Sequence, residues 1–167
     1  MPWRSTNDPY KIWLSEIMLQ QTQVKTVIPY FNEWIKKYPT LESVAKSNID
    51  DLLKIWEGLG YYSRCRNFHK SSIKIFQDYN GKIPEDFDQF KELPGVGEYT
   101  AGAVLSIAFG KKIPAIDTNI LRVMSRILGL KERSKSNLSK IKINMIDYLN
   151  TERPGDINQA LMDFGAM

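Results

Sequence analysis

Apolar residues recur along this chain at the three-and-four spacing of a helix almost from end to end. Tyr10, Trp13, Leu14, Ile17 and Met18 fall at i, i+3, i+4, i+7 and i+8, so on a 3.6-residue turn they share one face. The same spacing recurs at Val24, Val27, Ile28, Phe31 and Ile35, and at Ala101, Val104, Leu105, Ala108 and Phe109. Cys65, Phe68, Ser72, Ile75, Phe76 and Tyr79 make a further stripe, followed by Ile120 to Leu128 and by Leu138, Ile141, Met145 and Leu149. No segment keeps the strict alternation of a half-buried strand, which predicts an all-α fold. Short joints separate the helices: Tyr38-Pro39-Thr40, Gly58-Leu59-Gly60, Asn80-Gly81, Gly110 to Pro114 and Arg153-Pro154-Gly155. Pro29 begins or kinks the second helix rather than ending the pattern.

Composition narrows this picture. The 167 residues fit one domain, 25% charged and 43% hydrophobic, and a chain of that size buries about 70% of the surface its unfolded form exposes. The formal charge of +4 mildly favours a polyanionic partner. One cysteine, Cys65, and one histidine, His69, supply neither a disulfide framework nor a zinc site. The apolar runs are too short to span a membrane, and the first residues lack a signal-peptide layout, so the chain reads as an intracellular protein.

Three stretches carry candidate chemistry. In LPGVGEYTAG, residues 93–102, a short helix marked by Phe87, Phe90 and Leu93 ends at Pro94. Gly95-Val96-Gly97 then turns into a second helix from about Glu98. This predicts a helix, hairpin and helix at about 87–110. Glycines let a backbone approach closely, and free N–H groups at a helix start can hold an anionic oxygen. No strand precedes the turn, so a nucleic-acid phosphate suits it better than a mononucleotide. Simple closure of a tight hairpin explains the glycines equally.

In AIDTNILRV, residues 115–123, Asp117 stands just before an amphipathic helix, where a carboxylate caps the first amides and meets the positive end of the dipole. A cap explains it, and catalysis is a second reading. In SEIMLQQTQV, residues 15–24, Glu16 lies on the flank of the apolar stripe and Gln20 to Gln23 form a polar cluster, all compatible with solvent exposure. Gln amides and the rings of Tyr61 and Tyr62 suit base edges and base faces, although ordinary packing also accounts for the tyrosines. Arg64, Arg66 and Lys70 are backbone contacts or a solvated face.

The strings PWR (2–4), DPYKIWLSEIMLQQTQV (8–24), WEGLGYYSR (56–64), LPGVGEYTAGA (93–103), AIDTNILRV (115–123) and NQALMDFGA (158–166) together resemble the catalytic domain of the MutY family, the adenine DNA glycosylases. The resemblance spans nearly the whole chain with the motifs in order. It implies a helix-hairpin-helix glycosylase fold of two helical lobes, one over about 22–130 and the other, built by the chain ends, incomplete.

The same resemblance implies roles. Glu16 protonates the adenine ring as the glycosidic bond breaks, and Asp117 stabilises the cationic sugar; adenine leaves poorly as an anion, and an oxocarbenium-like sugar needs a fixed negative charge. Asn119 hydrogen-bonds near the aspartate, and Tyr99 lies beside the flipped nucleotide. Arg4 contacts adenine in its pocket, while Gln21 and Tyr61 enter the helix around an opposed 8-oxoguanine. Gly95, Val96 and Gly97 hold the strand by its phosphates. The partner implied is double-stranded DNA with adenine mispaired with 8-oxoguanine or guanine, met by a monomer, and extrusion of the base is required. Relatives that resemble endonuclease III carry a lysine where Tyr99 stands and form a Schiff base; a tyrosine implies base removal by water alone.

The chain departs from the pattern in three ways. Family members continue into four cysteines that bind a 4Fe-4S cluster, which would lie beyond Met167, so no cofactor is expected within this chain and no metal site. They also carry a further C-terminal domain and a helix before PWR, which predicts a truncated product here. Thr118 stands where glycine is usual, as in the lyase branch. A thymine or uracil mismatch glycosylase and a non-catalytic helix-hairpin-helix DNA-binding module are the alternatives.

Overall fold

The computed structural model describes residues 1–131 and 134–167. Among the described residues a 3-10 turn, Pro2–Ser5, precedes ten α-helices, with no strand: α1 Pro9–Leu19, α2 Val24–Lys37, α3 Leu41–Ala45, α4 Ile49–Trp56, α5 Ser63–Asp78, α6 Phe87–Lys91, α7 Glu98–Phe109, α8 Thr118–Ile127, α9 Lys135–Tyr148 and α10 Pro154–Ala166. The all-α expectation holds. Local chemistry sets many of the helix starts. Asp8, Thr40, Asn48, Asp86, Asp117 and Ser134 each accept a hydrogen bond from an amide of the first turn, an arrangement that stabilises a helix by about 1 kcal/mol. Pro29 lies inside α2 without ending it. The amide it lacks would have met the carbonyl of Lys25, an exposed residue whose carbonyl water can solvate. No helix among the described residues is long and apolar enough to cross a membrane.

The helices divide into two compact units, Met1–Gly97 and Glu98–Met167, so the division falls inside the 22–130 span. The first unit is organised by rings. Trp13 packs on Phe68 and Phe90 at centroid distances of 4.5 and 5.4 Å, and Trp34 meets Trp56 at 5.6 Å. Such pairs add about 0.5–1.5 kcal/mol each beyond the area they bury. Trp34 Nε1 donates to the Tyr10 hydroxyl at 2.9 Å, which donates to the Tyr38 carbonyl at 2.6 Å. No polar atom of that buried chain is therefore left unpaired. The apolar stripe on α2 leaves out Trp34, which is fully buried, and includes Val24, which is exposed.

The second unit packs α8, α9 and α10 around Ile120, Met124, Ile141, Met145 and Leu149. Two members of the expected stripes, Ile127 on α8 and Leu138 on α9, face solvent instead. Gly102 on α7 lets the 113–115 segment lie directly on the helix: a Cβ there would stand 2.4 Å from the Pro114 carbonyl oxygen. Asn158 on α10, fully buried, completes the attachment. Its amide donates to Ser106 Oγ at 2.9 Å and to the Ile113 carbonyl at 3.0 Å, and its oxygen accepts from the Ala115 amide at 3.2 Å. The approach to Asp117 is thus held from α7 and α10 together.

Candidate functional site

α1 is buried over nearly its whole circumference, from Tyr10 through Met18. Glu16 is therefore not the solvated flank residue its spacing allowed: it is only 8% exposed, and among the described residues it is the buried carboxylate. A carboxylate is not kept there by the hydrophobic effect, which opposes its burial. Beyond it the helix ends at Gln20, and Gln21 takes a left-handed backbone with φ +58°. Across the same unit Tyr61 does likewise, with φ +49°, and its ring is 59% exposed. Neither residue is glycine, so each conformation costs about 1–3 kcal/mol unless its surroundings impose it. Arg4 is half-buried in the 3-10 turn.

The residue that bonds to the chain at both places is Arg64 at the start of α5. It is 8% exposed, which removes the solvated-face reading. Nη1 donates to the carbonyls of Ile17, Met18 and Gln20, and Nη2 to those of Leu59 and Gly60 and to Thr22 Oγ1. Nε donates to the Tyr61 carbonyl at 3.4 Å. The last carbonyls of α1 have no intrahelical partner and carry the negative end of the helix dipole; a fork of five donors suits them. The guanidinium also sits 5.3 Å from the Tyr61 ring centroid and 5.5 Å from that of Trp56.

In the hairpin, Val96 is the buried residue, with its amide donating to the Leu93 carbonyl at 3.0 Å. The Ser71 hydroxyl donates to the Pro94 carbonyl at 2.8 Å, so the turn is fastened to α5. Gly95 has φ +79°, and a Cβ there would approach the Asn67 Cβ to 2.9 Å; this glycine is required by the turn itself. Gly97 is different. A Cβ on it would meet nothing within 4 Å, so its lack of a side chain leaves open space on an exposed face.

In the second unit Asp117 is the N-cap of α8, its Oδ1 accepting from the Ile120 amide at 2.7 Å. The capping reading is therefore correct as far as it goes. The carboxylate also accepts from the Asn119 amide and side chain, which favour its charged form, but burial outweighs them and pushes its pKa above the usual carboxylate range. Tyr99, half-buried on α7, points its hydroxyl at Met162 Sδ of α10, 3.7 Å away. Asp117 and Asn119 are thus brought together, as are Gln21 and Tyr61 through Arg64; Glu16 and Asp117 stand in different units. Thr118, where the resemblance has glycine, is exposed at the first position of α8.

Sequence reasoning gave Arg64 no specific role, because its partners are backbone carbonyls more than forty residues away in sequence. Asn158 entered only as a letter of a motif. A 4Fe-4S cluster would need four thiolates; this chain has one cysteine, Cys65, buried in α5 with its thiol pushed up to about 12. Those residues do not fit the cluster. Among the described residues no three His, Cys, Asp or Glu side chains gather as metal ligands.

The model of the HhH-GPD superfamily base excision DNA repair proteins matches residues 14–144. The chain is 41% identical to the adenine DNA glycosylase of Buchnera aphidicola subsp. Baizongia pistaciae over 100% of this chain and 48% of that protein. It is 38% identical to the adenine DNA glycosylase of Homo sapiens over 99% of this chain and 32% of that one. The chain thus spans half or less of the length of these curated relatives. Among solved structures, a thermostable thymine-DNA glycosylase superposes with a TM-score of 0.89 at 32% identity, covering all of this chain and 78% of that one. An endonuclease III trapped covalently on DNA gives a TM-score of 0.78 at 27% identity, covering 93% and 72%. The match over most of the chain, on a helical fold with the hairpin in place, settles membership: this chain belongs to the HhH-GPD superfamily of base excision DNA repair proteins.

Proposed function

We propose that this chain carries the catalytic portion of a monofunctional adenine DNA glycosylase, which hydrolyses the N-glycosidic bond of adenine mispaired with 8-oxoguanine or guanine in double-stranded DNA. The observation that carries the reading is Glu16, a carboxyl group buried in a helix whose burial runs from Tyr10 to Met18. A general acid must hold a transferable proton within reach of the reacting group. It gives that proton to a ring nitrogen of adenine as the bond to the sugar breaks. The carboxylate form of Asp117, held by its hydrogen bonds with Asn119 and Ile120, opposes the positive charge that develops on the sugar, in surroundings where a fixed charge is worth far more than in water. Water then adds to the sugar carbon, its released proton returning to the Glu16 carboxylate, and yields an abasic site.

The remaining residues bind. Arg4 contacts the adenine, Tyr99 lies against the extruded nucleotide, and Gln21 and Tyr61 address the opposed base. Gly95 and Gly97 offer backbone to the phosphates, while Val96 anchors the turn from beneath. The identities of 38–41% to adenine glycosylases support adenine as the base. The likeness to a thymine-DNA glycosylase supports a second reading, thymine removal opposite guanine. Duplexes carrying adenine opposite 8-oxoguanine, adenine opposite guanine, and thymine opposite guanine, each treated with alkali after incubation, separate the two. Breakage in the adenine strand of the first two is expected. Breakage of the thymine strand alone overturns the proposal, and breakage of none leaves a DNA-binding module.

A further inference from the structure

The Arg64 cluster binds no substrate atom in the reading above, yet it bonds the turns that carry Gln21 and Tyr61, the two exposed side chains that the reading sets against the opposed base. On one side its guanidinium holds the carbonyls of Ile17, Met18 and Gln20, the residues that follow Glu16 and precede Gln21. On the other it holds the carbonyls of Leu59, Gly60 and Tyr61. The left-handed residues Gln21 and Tyr61 therefore lie next to, or at, acceptors of the same cation. The Tyr61 ring, though 59% exposed, is held over that cation at 5.3 Å. An exposed ring and an exposed amide in costly backbone conformations have no packing reason to be held so firmly. They have one if they must enter a base stack without first being ordered, since preorganised groups lose less freedom on binding.

We propose that Arg64 is a positioning residue that locks the Gln21 and Tyr61 turns into one preformed wedge, and fixes the height of that wedge against the helix carrying Glu16. The proposal rests on the base-excision reading, because a wedge is useful only to an enzyme that must take a base out of the duplex. Lysine in this place keeps the charge but is a point donor with three hydrogens; it cannot fork between the two turns. The turns then relax independently, and the wedge meets the duplex in many poses instead of one.

The test uses the full-length protein with Arg64→Lys, Tyr61→Ala and the double variant. One readout is the fluorescence of 2-aminopurine placed beside the base opposite the target, which rises when a side chain unstacks it. The other is single-turnover base release per active molecule, opposite 8-oxoguanine and opposite guanine. At saturating protein, Arg64→Lys is expected to lose most of the fluorescence rise and to slow release by about 100-fold, the scale on which a misplacement near 1 Å acts. The double variant should be no worse than the poorer single one, because both changes disable one device. Thr22→Val, which removes one acceptor of Nη2, should act in the same direction more weakly, and carries the test if Arg64→Lys does not fold. Losses that add in the double variant overturn the proposal. So does a variant that merely melts earlier, with fluorescence and release per active molecule like the parent. If the parent releases no base from any mispair, the function reading falls by itself, and the fluorescence rise, which needs no cleavage, still decides on the clamp.

Discussion

Replacing Asp117 with asparagine separates what the residue does for the helix from what it does for the reaction. The structural share is small and its size can be worked out. Asp117 caps α8 through one bond to the Ile120 amide, and asparagine caps about as well as aspartate, whereas alanine would cost about 1 kcal/mol. The charge itself opposes folding. Burial raises the pKa of Asp117, so the folded state binds the proton more tightly than the unfolded chain, and stability from this group is present at low pH and lost as pH rises from the ordinary carboxylate range to the raised value. An uncharged amide at this position has no such loss. The D117N variant should therefore melt with the parent at acid pH and at or slightly above it at neutral pH. The chemical share is of another order. Removing a preorganised electrostatic group from a dry site commonly costs about 100- to 1,000-fold in rate, so single-turnover adenine release should nearly vanish while binding to the mismatched duplex persists. Denaturation at two pH values beside a release assay measures both shares. A D117N protein that releases adenine at the parental rate would return Asp117 to the role of a cap and remove the electrostatic half of the mechanism.

Other outcomes follow from the same geometry. Glu16→Gln preserves shape but has no proton to give, so adenine release should fall about 100- to 10,000-fold with mismatch binding retained; unchanged release would show that the buried carboxyl is not the acid. The two hairpin glycines should differ: Gly95→Ala forces a Cβ into a left-handed turn against Asn67 and should lower the melting temperature. Gly97→Ala should leave stability unchanged and weaken binding to every duplex alike, with base preference intact. Cys65, buried with its thiol pushed up to about 12, should resist a thiol reagent at pH 8 and react fully in denaturant; rapid labelling of the native protein would contradict the packing of α5.

The fold was legible wherever a helix has one wet face. α5 and α8 show this, and the cap at Asp117 was readable from its position alone. α1 was legible as a helix but not in its burial, since periodicity assumes an exposed side and this helix has almost none. That is why Glu16 read as a flank residue. The short helices α3 and α4 hold too few turns for a stripe, although the Thr40 capping box and the Asn48 cap were local marks of their starts. Arg64 was illegible for a deeper reason: a side chain that bonds backbone carbonyls leaves no complementary residue type in the sequence to betray it. The same holds for Asn158, whose bonds to Ile113 and Ala115 involve main-chain atoms of residues that any small or apolar side chain could occupy.

Asn158 also orders events in time. The segment that delivers Asp117 is anchored by a residue made 43 positions after Ala115, so during synthesis the aspartate is in the chain before the amide that fixes its approach exists. At 5–20 residues per second the interval is about 2–9 s. Until it ends, the carboxylate has its helix and its cap but no settled backbone leading to it, while Met1–Gly97, with its own aromatic core, already has every residue it requires. The nascent chain thus completes the unit that holds Glu16 and the Arg64 cluster before it can settle the backbone leading to Asp117.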